Sequence, residues 1–246
     1  MMTRSGARAN TLALRVAALC AAALPGCAHT EEEVRMQTAL PEPMVFAVAP
    51  ILNFSGEFSL DPVKAADLLA SELTFVNGAT VLPVSRVVAV LTAQGKTQIE
   101  SPEHAVRVAD AVGADGIIVA GVTEFEAYTP ILGVAVQLYL TPGVDPRSVR
   151  QVSTSRMMAP IEFTSATAPV SQAQATYNGN HEYVADLIKQ YAAARDEELL
   201  MGWRQYLKVQ TLFIRFCWHD ALNRLLAQYP GTESVAADVG QTENPS

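Results

Sequence analysis

Cysteine, histidine and basic side chains are all scarce in this chain, and each scarcity removes a class of function. The four histidines (His29, His104, His181, His219) are not spaced as metal ligands on a helix face, and there is no His-Glu-x-x-His or Cys-x-x-Cys. A zinc site therefore has no support in the sequence, and no cofactor is expected. Gly-x-Ser-x-Gly, Gly-x-Gly-x-x-Gly and a Gly-Lys-Ser/Thr phosphate loop are also missing, which removes the common hydrolase elbow and the nucleotide cradles. Lys and Arg number 17 against 25 Asp and Glu, for a net charge of −8. Arg4, Arg8 and Arg15 fall in the first 26 residues, where there is no acid, so the remainder carries −11. A surface that acidic repels phosphate backbones and argues against a nucleic-acid partner. With half its 246 residues apolar and only 14 Gly and 14 Pro, the chain is globular, neither disordered nor fibrous.

A long apolar run is also lacking. Val16 to Leu24 is nine residues, bounded by Arg15 and Pro25, well short of the roughly 20 that a spanning helix needs. A basic flank, a short apolar segment and small residues at its end make the layout of a secretory signal peptide over 1–26. Leu24-Pro25-Gly26-Cys27 resembles the lipobox of bacterial lipoproteins. That resemblance implies cleavage before Cys27, a diacylglycerol thioether on its sulfur and an acylated new N-terminus. Ala28 in the next position implies delivery to the periplasmic face of the outer membrane. Several acyl chains anchor stably where one is marginal. Cys20 then departs with the leader and Cys27 carries lipid. Cys217 is left without a disulfide partner, as a buried packing residue.

Residues 27–43, with a Glu run and two prolines, read as a lipidated tether, and 230–246, with three acids and no base, as a disordered tail. Between them strand and helix signals alternate. Met44 to Ala49 is a continuous apolar run, expected to be a strand buried on both faces. Asp61-Pro62 opens a helix through Leu73, and Ala79 to Pro83 is a short strand. Ser85 caps a second helix to Gly95. Ser101-Pro102-Glu103 starts a third, which stops at Gly113. Gly116 onward is a strand, and Gly133 to Leu140 pairs with it as a hairpin. The resulting order is β-α-β-α-α-β-β, an α/β fold with a small mixed sheet and packed helices over 44–165. One further strand is placed near Arg150 to Met158, within the poorly patterned stretch 141–178. A long helical C-terminal extension follows over 178–229. It carries a first stripe of Val184, Leu187, Ile188 and Tyr191, a break around Ala194 to Gly202, and a second stripe rich in aromatics.

Three groups of residues are candidates for function. Trp203, Tyr206, Phe213, Phe216 and Trp218 either pack on the sheet or form an interaction surface. Glu124 and Glu126, two apart on a strand, share a face and are candidate paired carboxylates. His219-Asp220 is a candidate acid/base pair, although neighbours on a helix point about 100° apart.

The segment Phe46-Ala47-Val48-Ala49-Pro50, then Asn53-Phe54-Ser55-Gly56, then an Ala/Leu-rich helix, resembles the opening of CsgG-type lipoproteins and of the N-terminal domain of TolB-like periplasmic proteins. Leu82-Pro83-Val84-Ser85-Arg86 and the stretch Ala109 to Val122 are similar to the pieces that follow in those families, so the likeness spans about 44–140. It implies a non-enzymatic envelope protein acting through protein contacts, as in curli-assembly, flagellar and cell-wall-synthase-activator lipoproteins. Gly143 to Gly179 lacks the 9–11-residue alternation of lipid-facing barrel strands, so a channel is not expected. The sequence thus points to a lipid-anchored accessory factor of the envelope that is not an enzyme. The alternatives are a homo-oligomeric, ring-forming secretion component and an envelope hydrolase using Glu124 and Glu126.

Overall fold

The computed structural model describes residues 39–126, 128–144, 167–195, 197 and 199–229. All of these lie in one compact unit, Val34–Ser246. The leader, the lipobox with Cys27, the strand placed near Arg150 to Met158 and the tail 230–246 lie outside the described residues.

The architecture is mixed α/β. Strand β1 (Ala39–Val48) lies inside the sheet, and the chain continues into the two-residue β2 (Leu52–Asn53). Helix α1 (Pro62–Leu73), strand β3 (Asn77–Val81), helices α2 (Val84–Ala93) and α3 (Pro102–Val112) and the hairpin β4 (Gly116–Glu126) and β5 (Ile131–Leu140) follow. Strand β6 (Ser171–Asn178), helix α4 (Glu182–Arg195), a 3₁₀ turn (Gly202–Leu207) and helix α5 (Gln210–Ala227) complete it. The sheet order is β3-β1-β4-β5-β6, with β2 alongside β4. β1 is parallel to β3 and β4, whereas β5 is antiparallel to both β4 and β6. Two crossovers between parallel strands followed by a hairpin are what the strand and helix signals require.

Local chemistry explains most boundaries. Asp61 Oδ1 accepts from the Val63 and Lys64 amides at 2.9 and 3.1 Å, with Pro62 in the first turn of α1. Ser101 Oγ accepts from His104 N at 3.1 Å at the start of α3, and Gly113, at φ 75°, closes that helix in the left-handed region. Other boundaries differ from the sequence reading. Helix α2 begins at Val84 behind Pro83 with no side-chain cap, so Ser85 lies inside it. β1 starts at Ala39, five residues before the apolar run, so the last part of the expected tether is strand. Pro41 and Pro43 cannot donate to a ladder, and the β1–β3 register shifts between Ala39 and Met44 to pass them. β6 lies in the stretch the sequence left without pattern, because its Ser, Gln, Ala and Thr carry no apolar alternation.

The sheet is covered on both faces. Phe46, Val48, Ile118, Ala120, Val122 and Val136 meet α1, α4 and α5 on one side. Ala47, Ala49, Ile117, Val119 and Tyr139 meet α2 and α3 on the other. Helices α4 and α5 share their core with β1, so the C-terminal segment is part of the domain packing and not an appendage.

Candidate functional site

The aromatic quintet is resolved by the position of α5 against the sheet. Tyr206, Phe213, Phe216 and Trp218 are buried, and only Trp203 is partly exposed. Four of the five therefore form core and no interaction surface. The physical reason is that α5 packs against α1, β5, β6 and the 3₁₀ turn together, so it must be apolar on several sides. Edge-to-face contacts fill this layer: Tyr177 to Phe216 at 5.7 Å, Tyr191 to Tyr206 at 5.3 Å and Tyr191 to Phe216 at 5.8 Å between ring centroids. Cys217 lies among them, fully buried, with its thiol pushed up by burial.

The two pairs of candidate acid/base residues do not form sites. Glu124 and Glu126 are both exposed on the open end of β4, beyond a register shift between Val122 and Glu124. Each borders a different hollow. His219 and Asp220 diverge as neighbours on a helix do: Asp220 Oδ2 accepts from Tyr177 Oη at 2.7 Å and from Arg224 Nε at 2.6 Å, while His219 turns towards α1. Among the described residues no group of three or more His, Cys, Asp or Glu side chains is placed to hold a metal ion.

What His219 faces is a charged cluster that the sequence reading missed. Glu72 of α1 is 0% exposed. Its Oε1 accepts from Arg195 Nη2 at the end of α4 and from Arg215 Nε of α5, the latter at 3.2 Å. His219 Nδ1 stands 3.5 Å from Oε2. Arg215 Nη2 reaches Glu197 at 3.1 Å, and Glu197 accepts from Tyr206 Oη at 3.2 Å. Arg195, with a side chain 5% exposed, also donates to Tyr191 Oη at 2.9 Å and lies 3.8 Å from the Phe75 ring centroid. Burial works to raise the Glu72 pKa, but the His219 ring and the charges of Arg195 and Arg215 overcome it, holding Glu72 below the usual 4.5. The Tyr206 hydroxyl is pushed up to about 12 by burial and by Glu197. With two acids and two guanidinium groups in balance, the cluster clamps α1, α4 and α5 together. The signal was available: Glu72 stands on the same stripe as Ala65, Leu69 and Leu73, where an apolar side chain belongs.

The accessible chemistry lies at one end of the sheet, where β4, β5 and β6 meet the 3₁₀ turn. A hollow of about 420 Å³ opens there, walled by Phe125, Tyr128, Pro130, Trp203 and Leu207, with Arg204 and Lys208 also in its lining. Gly179 lets the walls close. A β-carbon there would come within 2.6 Å of Pro130 and 2.7 Å of Leu207. The Trp203 ring holds Lys189 Nζ at 5.0 Å and the Arg204 guanidinium at 4.7 Å from its centroid. Tyr128, Leu200, Met201 and Val209 are exposed on this segment.

A second exposed apolar group lies on the loop between β2 and α1, the Asn-Phe-Ser-Gly stretch. Asn53 Oδ1 accepts from Ser55 N and Oγ at 3.1 and 2.7 Å, and Asn53 Nδ2 donates to the Glu57 carbonyl at 2.8 Å. Phe54 N donates to the Val122 carbonyl at 2.8 Å. The Phe54 ring lies over Gly121, 2.9 Å from where a β-carbon would stand. Phe54 is 66% and Phe58 99% exposed.

No protein-family model matches the chain, and no curated protein matches it. Solved structures give a loose likeness. Lipoprotein GNA1162 of Neisseria meningitidis aligns at 17% identity and a TM-score of 0.41, over 64% of this chain and 99% of its own. The C-terminal domain of LpoB from Salmonella enterica aligns at 14% and 0.38, over 56% and 84%. The PelC dodecamer of Paraburkholderia phytofirmans gives 12% and 0.35, over 76% and 89%. At these values no residue role passes from them to this chain.

Proposed function

We propose that this is a lipid-anchored, non-enzymatic protein of a bacterial cell envelope, held by Cys27 at the periplasmic face of the outer membrane and acting through contacts with other proteins. The observation that carries the reading is Leu24-Pro25-Gly26-Cys27 standing directly behind a nine-residue apolar run with a basic flank. Such a run is long enough for a leader and too short to span. Among the described residues, no helix is long and apolar enough to cross a membrane. The contact face of this reading is the open end of the sheet. There Trp203, Tyr128 and Arg204 are of the types enriched at protein interfaces, and Lys208 adds a second positive charge.

Metabolic labelling with palmitate tests the anchor. Label enters the wild-type protein and is lost in Cys27→Ala. Labelling that persists in the variant, or never occurs, removes the anchor and with it the assigned location.

A further inference from the structure

The exposed apolar side chains fall into two groups on different segments of the chain. Phe54 and Phe58 belong to the β2–α1 loop and Val63 to the first turn of α1 that follows it, and Tyr128, Leu200, Met201 and Val209 to the segments around the hairpin-end hollow. Together they account for seven of the eight large apolar side chains exposed among the described residues; the eighth is Tyr183. Single exposed apolar residues need no explanation, but clustered ones mark contact sites.

The two groups differ in shape and in charge. The loop is a knob. Its backbone is fixed by the Asn53 and Ser55 hydrogen bonds, with Glu57 N donating to Ser55 Oγ at 3.2 Å. It therefore loses little freedom on docking. Two acids flank its phenylalanines, Glu57 and Asp61, both exposed. The hollow is concave, its volume of about 420 Å³ lying at the small end of the roughly 300–1,000 Å³ of ligand pockets. It is lined by two cations, Arg204 and Lys208, against one acid, Glu126. No residue of the loop lines the hollow of its own chain.

Resting on the reading of this protein as one that works through protein contacts, we propose that the Phe54–Phe58 knob of one copy docks in the hairpin-end hollow of a second copy. Glu57 faces Arg204 and Lys208 across the contact. An apolar projection that matches a hollow elsewhere on the same molecule makes a heterologous contact, and each copy keeps one free knob and one free hollow for the next. A lipid surface is the poorer occupant for the knob, because Glu57 and Asp61 oppose the negative potential of anionic lipid.

The test uses the full chain in detergent micelles, with mass measured by light scattering. Two variants carry changes only at exposed positions. Phe54→Ser with Phe58→Ser loses the knob and keeps the hollow. Arg204→Glu with Lys208→Glu keeps the knob and reverses the charge of the hollow. The wild-type protein is expected to form species larger than a dimer on the order of 100 µM, and each variant a monomer with an unchanged melting temperature. An equal mixture of the two variants is expected to stop at the dimer, since only one productive contact remains per pair. A wild-type monomer overturns the proposal, as does an unchanged mass in either variant or a mixture that stays monomeric. A wild-type monomer that still takes up palmitate through Cys27 refutes this contact and leaves the anchor standing.

Discussion

Glu72 shows what a single misplaced charge reports. Its Oε1 is held by two guanidinium groups, and the side chain has no access to water. Glu72→Gln keeps the shape and removes the charge, leaving the buried Arg195 guanidinium with a neutral amide oxygen in place of its carboxylate. Breaking one side of a buried pair costs about 3–5 kcal/mol, read as a fall in the urea midpoint at constant slope; a loss below about 1 kcal/mol would mean the pair is effectively solvated. The same carboxylate sets part of the acid response. Its folded pKa lies below 4.5, so its contribution is present above that value and is lost as pH falls through the folded pKa. His104 acts in a higher window. Buried, with Nε2 at 2.7 Å from Gln94 Oε1 and Nδ1 accepting from Glu100 N, its pKa is lowered from 6.5 first by burial and then by Lys96 and Arg107. Its stabilising effect is complete above 6.5 and declines as pH drops below it. Melting temperature should therefore fall in two stages on acidification, and His104→Gln should flatten only the upper one. Glu72 was legible as an anomaly on an apolar stripe. Its partners were not, because they arrive from 123 and 143 residues away.

Elements were legible wherever their apolar period was strong and their ends were capped. Asp61-Pro62, Ser101-Pro102 and Gly113 fix helix boundaries through local caps that need no distant partner, and the short apolar run of β1 fits a strand covered on both faces. β6 was illegible because an edge strand of Ser, Gln, Ala and Thr buries little. It is held by eight paired positions along β5 and not by its own pattern. The stripe on α5 was read correctly as needing a partner, but a sequence cannot say whether that partner is the protein's own sheet. Burial decides it, and a mutation can check it. Phe216→Ala removes a ring packed against Tyr177 and Tyr191 and should cost about 3–5 kcal/mol. Trp203→Ala, at the partly exposed hollow, should stay within about 1 kcal/mol. Chemical unfolding of the two variants separates core from surface; an unchanged Phe216→Ala would return α5 to the list of contact faces.

For the whole molecule, the proposed anchor and the acidic excess lie in separate parts of the chain. From residue 27 onward the protein carries −11, which opposes binding to anionic headgroups. The proposed attachment to a bilayer would then come from apolar mass. The described residues offer no spanning helix, and the nine residues from Val16 to Leu24 fall far short of one. On the proposed reading, acyl chains on Cys27 would supply that mass at about 0.8 kcal/mol per buried methylene, enough for stable binding once more than one chain is attached. Phase partition in a detergent that clouds on warming measures this balance directly. The mature wild-type protein should enter the detergent phase. Cys27→Ala should stay in the aqueous phase with the same melting temperature, because the described core begins only at Leu40. If the variant followed the wild type into detergent, apolar protein surface would be doing the anchoring, and the exposed Phe54, Phe58 and Leu200 side chains would be the first places to look.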